Sequence, residues 1–160
     1  MPTVRTTGDD PAEQQVIDNI AKYGWHCVGI SEENDEAAYA FTVGLFHTYK
    51  HPELVIFGLR GEIAHQILSL AVDAILRNEA LDLASPTEEL LKGYPCCFAE
   101  VPASNYHEYV GFCRWFYRGN AFPLYQIVWP SRTGLFPWHP DATQEFKLAQ
   151  PVIALTPSGA

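Results

Sequence analysis

Residues 25–59, WHCVGISEENDEAAYAFTVGLFHTYKHPELVIFGL, decide the fold of this chain. From Ala38 to Leu45 the side chains alternate with the period of a strand. Tyr39, Phe41, Val43 and Leu45 fall on one face, and Ala38, Ala40, Thr42 and Gly44 on the other. The large face is a core face. The small face leaves room for a close approach to the backbone, by a packed helix or by a ligand. The run Trp25–Ser31 precedes it across the acidic turn Glu32–Glu36, a connection short enough to make the pair antiparallel. Those carboxylates lack the glycine and alternating oxygens of a calcium loop, so the turn reads as solvated. Leu54–Phe57 then reads as a strand buried on both faces.

Outward from this stretch, Asp10-Pro11-Ala12-Glu13 has the form of a capped helix start, and Gly24 suits the left-handed position after the helix end. Residues 62–77 carry a helical apolar stripe. Ser85-Pro86-Thr87-Glu88 predicts a short helix ending at Gly93, and Cys96–Val101 a strand. Tyr106, Tyr109, Val110, Cys113, Phe116 and Tyr117 predict one helix started by Ser104. Leu124–Trp129 is a further strand, followed by a loop over 131–143 and a final extended piece near Phe146–Leu155. The order is that of an α+β fold: a single domain over 1–160 with a flexible tail at 1–9. We expect a mixed or mainly antiparallel sheet of about five strands packed with three to four helices.

The FTVGL run (Phe41–Leu45), the HPEL junction (His51–Leu54), Gln126–Pro130 and Gly134–Trp138 resemble a bacterial family, domain of unknown function 4262. The resemblance covers most of the chain and implies a bacterial origin and a single domain. It carries no catalytic signature. Strand, loop, HPELVIFGL and helix also loosely resemble the flavin-binding split barrels, although few basic residues are present to grip a phosphate. The cofactor is left unassigned.

The chain has 160 residues, is 48% hydrophobic and 18% charged, and carries a net charge of -9. That balance is globular and argues against a nucleic-acid backbone as partner. No apolar run approaches the roughly 18 residues a membrane span needs, and no apolar leader opens the chain, so a cytoplasmic location is the default expectation. Cys27, Cys96, Cys97 and Cys113 show no CxxC spacing and are expected as reduced core thiols.

Polar chemistry concentrates in Phe46–Glu53. His47 and His51 stand four apart, but Pro52 forces His51 out of a helix and no glutamate follows His47. A metal site would need two more ligands, with His139, Asp141 or Glu53 as the nominees, and no metal is assigned. The catalytic candidates are His51, Glu53 and His47, with Glu53 orienting a histidine that acts as base. Thr42 and Gly44 are candidate ligand contacts, joined by Trp138 and His139 from the late loop. The expectation is that residues 46–52 and 131–141 meet over the small face of the 38–45 strand. The leading reading is a small-molecule pocket, enzymatic or not. The alternative is a non-enzymatic acidic interaction or immunity-type module, resting on charge and aromatic content. Either is compatible with a homo-oligomer.

Overall fold

The computed structural model describes residues 3–157. In chain order the elements are α1 (Pro11–Tyr23), β1 (His26–Ile30), β2 (Tyr39–Val43), α2 (Leu45–Tyr49), β3 (Glu53–Phe57) and α3 (Gly61–Leu76). They continue with β4 (Cys97–Glu100), α4 (Tyr106–Tyr109), α5 (Gly111–Tyr117), β5 (Leu124–Val128) and α6 (Gln144–Ala149). The five strands form one mixed sheet in the order β1-β2-β3-β5-β4. Only β3 and β5 run parallel, in the register Glu53↔Leu124 to Ile56↔Ile127. The sheet is open, with β1 and β4 at its edges, so it is not a split barrel.

Each face of the sheet carries helices. Phe41, Val43, Val55 and Phe57 pack with Val16 of α1 and with Cys113, Phe116 and Tyr117 of α5. Ala40, Leu54, Ile56 and Ile127 pack with Ala64, Ile67, Leu68 and Ala71 of α3. The small face of β2 is therefore filled by α3. The middle strand β3 is buried along its whole length, as its unbroken apolar run requires.

Several elements differ from the sequence reading. The 38–45 strand ends at Val43, and β2 lies beside the middle strand, which is β3. Gly44 takes φ +106, a left-handed value that favours glycine, and turns the chain into α2. Leu45 consequently joins the α3 side of the core, away from Phe41 and Val43. The helix expected near residues 86–92 is absent, because Thr87 and Cys96 exchange backbone hydrogen bonds of 2.8 Å in an antiparallel bridge. The single helix expected from Ser104 is broken at Val110 (φ -122, ψ 55), where the Tyr39 hydroxyl donates to the Tyr109 carbonyl. Residues 144–149 are helical, with Thr143 accepting from the Phe146 amide, where an extended piece was expected. Among the described residues these short pieces bring the α-helices to six, where three or four were expected.

Within the expected tail at 1–9, residues 1 and 2 lie outside the described residues. Arg5 is held: its amide donates to Phe116 O and its Nε to Trp115 O. By contrast α1 follows its sequence closely. Asp10 accepts from the Glu13 amide at 2.8 Å, and Gly24 closes the helix at φ +91.

Candidate functional site

The polar cluster starts from a problem of backbone accounting. Where Gly44 turns β2 into α2, the first amides of the new helix have no partner within it. Glu53, the first residue of β3, lies inside that turn and is fully buried. Its carboxyl oxygens accept from the amides of Gly44 (3.0 Å), Leu45 (3.2 Å) and Phe46 (3.2 Å). Thr42 Oγ1 donates to Glu53 at 2.7 Å and itself accepts from the Leu54 amide at 2.9 Å. The Tyr117 hydroxyl of α5 donates the remaining bond, and in turn accepts from the His47 amide. Burial pushes the Glu53 carboxyl up from its ordinary value, while Tyr117, Thr42 and the amides pull it back. Burial and the nearby carboxyl also push the Tyr117 hydroxyl upward.

Thr42, Gly44 and Glu53 thus come together, but each is spent on the others. Five donors point at the fully buried Glu53, and the Leu54 and His47 amides go to Thr42 and Tyr117. The cluster ties β2, α2, β3 and α5 together, with Cys113 Sγ donating to Thr42 O from the same helix.

His47 and His51 do not join it. The His47 ring is exposed and packs edge-on against Phe116 at 5.7 Å. His51 is half-buried, and its Nδ1 bonds the carbonyl of Pro52 at 2.7 Å. Burial lowers the His51 pKa and the Pro52 bond raises it, with a net fall from the ordinary value. The fold therefore favours neutral His51, a contribution complete above about pH 6.5 and lost as pH falls through the lower folded value. Asn in place of His51 can keep the bond to Pro52 without titrating. The melting temperature of His51→Asn should fall less than that of the unaltered chain between pH 7 and 5. Parallel curves in calorimetry would show that His51 titrates as it does in the unfolded chain.

Trp138 and His139 lie elsewhere. Residues 46–52 precede β3 and residues 131–141 follow β5, and since these strands are parallel the two loops sit at opposite ends of the sheet. The expected meeting of the loops does not occur. Trp138 stacks on Phe136 at 5.1 Å and packs with Cys97, Ala99 and Val128, while His139 Nδ1 accepts from the Asp141 amide in a local turn. Among the described residues, no three His, Cys, Asp or Glu side chains are grouped to hold a metal ion. All four cysteines are free, and burial pushes Cys27 to about 11, Cys96 to about 12 and Cys97 to about 11.

Open space lies at the other end of β3. A groove of about 630 Å³ runs between the β1–β2 turn, the β3–α3 junction and α6. Glu32, Asp35, Glu36 and Glu145 line it against Arg60, with Leu148 beside them, 68% exposed. The acidic turn has a defined shape: Glu33 and Glu36 exchange backbone bonds around Asn34 (φ 51) and Asp35 (φ 65). Two successive positive φ values are the signature of a tight hairpin turn. The α6 wall is also anchored. Gly58 (φ +86) lies so close to Ala149 O that a Cβ there would sit 2.4 Å from it. Trp129 donates from its indole to Phe57 O and meets Phe146 edge-on. Buried Gln150 accepts from the Trp129 amide and donates to its carbonyl, and Gln126 grips Pro151 O and the Ile153 amide in the same way.

The sequence reading missed this groove. The run Glu32–Glu36 reads identically whether it faces bulk water or a concavity, and Glu145 and Leu148 join it only because α6 folds back. Neither the curated proteins nor the solved structures yield a match to this chain. One family model matches residues 19–143, from the middle of α1 to the threshold of α6, short of the Gln150 clamp. The chain therefore belongs to the family described as domain of unknown function (DUF4262).

Proposed function

We propose that this protein is a binding module that takes a basic segment of a partner protein into the acidic groove between the Asn34–Asp35 turn and α6. The carrying observation is the lining: four carboxylates against one guanidinium, on a concavity of about 630 Å³. The pairing of Arg60 with Glu62, at 3.9 Å on two highly exposed side chains, adds little stability and leaves the groove acidic. Leu148 supplies an apolar anchor at the edge, so the fitting segment alternates Lys or Arg with an aliphatic residue. The groove is partly open to solvent, so it can admit a segment of a longer chain. The buried Glu53 cluster supports the same reading, since its carboxyl already accepts five hydrogen bonds.

The test is fluorescence anisotropy with a labelled Lys/Leu-alternating peptide. The unaltered chain should bind saturably, with affinity falling as salt rises from 0.05 to about 0.5 M as the charges are screened. Glu36→Lys with Glu145→Lys should weaken binding at least ~10-fold without moving the melting temperature, both positions being exposed. Equal binding by both proteins would remove the groove from the account.

A further inference from the structure

A second concavity, of about 540 Å³, lies beside α2. It opens between the N-terminal arm, α1, α2 and α5, and Ile17, Ile20 and Phe116 give it an apolar floor. Its polar lining consists of Arg5, Thr6, His47 and Thr48, and none of its lining residues is Asp or Glu. In a chain with a net charge of -9, a carboxylate-free concavity beside an arginine is a local reversal of sign.

The arginine is also fixed in place. Arg5 Nε donates to Trp115 O at 2.9 Å, its own amide donates to Phe116 O, and its guanidinium lies 5.5 Å from the centre of the Trp115 ring. A guanidinium already held in position loses little freedom when it meets an anion. His47 is held likewise, by its amide bond to Tyr117 and its edge contact with Phe116. Thr48 spends its hydroxyl on Gly24 O, which ties α2 to the end of α1 and shapes the remaining wall.

We infer that this concavity binds an amphipathic carboxylate, an aliphatic chain ending in a single anionic head, with the head at Arg5 and His47 and the chain along Ile17, Ile20 and Phe116. A neutral apolar ligand would leave Arg5 unused, and a polyanion would find one fixed guanidinium and no second. The volume falls within the range of small-ligand sites, roughly 300–1,000 Å³. This site is separate from the acidic groove, and neither proposal requires the other.

The probe is dodecanoate, titrated calorimetrically below its micellar concentration and compared with dodecanol. Dodecanoate should bind saturably and at least ~10-fold more tightly than dodecanol. Arg5→Gln should lose that preference, but it also loosens the N-terminal arm. Ala21 provides the independent check, because it lines the concavity, is exposed, and lies on a helix that tolerates either charged side chain. Ala21→Glu should weaken dodecanoate at least ~10-fold, and Ala21→Lys should match or tighten it, with unchanged melting temperatures. Absence of saturable binding to the unaltered chain, or indifference to the sign of the charge at 21, would overturn the proposal.

Discussion

Replacing Glu53 by alanine should lower stability by about 3–5 kcal/mol, the range for removing one member of a buried charged network. The amides of Gly44, Leu45 and Phe46 and the hydroxyls of Thr42 and Tyr117 would lose their common acceptor at once. Water entering the vacated space would recover part of the loss. For a domain of this size the melting temperature should drop by roughly 10 °C or more. Glu53→Gln separates charge from shape: its oxygen can still accept, but its amide nitrogen would face donors. It should therefore fall between the two. Denaturant melts check the series. A Glu53→Ala protein as stable as the unaltered chain would mean that the cluster does not hold β2 to β3, and would reopen Glu53 as a reactive group.

The second large effect is expected at Gly58. A Cβ there would sit 2.4 Å from Ala149 O, a backbone atom that cannot swing away, and φ of +86 strains any other residue. Gly58→Ala should cost about 2–5 kcal/mol, combining left-handed strain of ~1–2 kcal/mol with overpacking of ~1–3 kcal/mol. It should also release α6 from the end of β3, raising amide hydrogen exchange over residues 144–153 and weakening the Lys/Leu peptide. Destabilisation with no added exchange in α6 would show that the helix is held by the Gln150 and Trp129 contacts alone.

The parts of the fold that follow local rules were legible in the sequence. The period-two faces of Tyr39–Val43 and the unbroken apolar run of Leu54–Phe57 place β2 beside β1 and bury β3 on both sides. Asp10, Pro11 and Gly24 mark the two ends of α1. What was not legible depends on partners distant in sequence. Periodicity carries Leu45 along with Phe41 and Val43, but Gly44 can turn the chain only because Glu53 satisfies the amides that the turn exposes. Gln126 and Gln150 look like ordinary surface amides in the sequence. In the fold they serve as substitutes for a sheet ladder, holding 150–153 against β5.

The same distinction governs the candidate site. Thr42, Gly44 and Glu53 were named as candidates from residue type and position, yet sequence cannot tell a binding site from a closed knot of hydrogen bonds. Trp138 and His139 were attached to it by residue type alone, and the parallel register of β3 and β5 separates them. The acidic groove required α6 to be placed, and α6 was read as extended chain.

Backbone amide shift mapping on the isotope-labelled chain, titrated with the Lys/Leu peptide, tests the central claim most directly. The account predicts perturbations over residues 31–38, 58–61 and 145–149, with the amides of Gly44, Leu45 and Phe46 unmoved. Perturbations concentrated at residues 42–53, with the groove silent, would contradict it and return function to the Glu53 cluster.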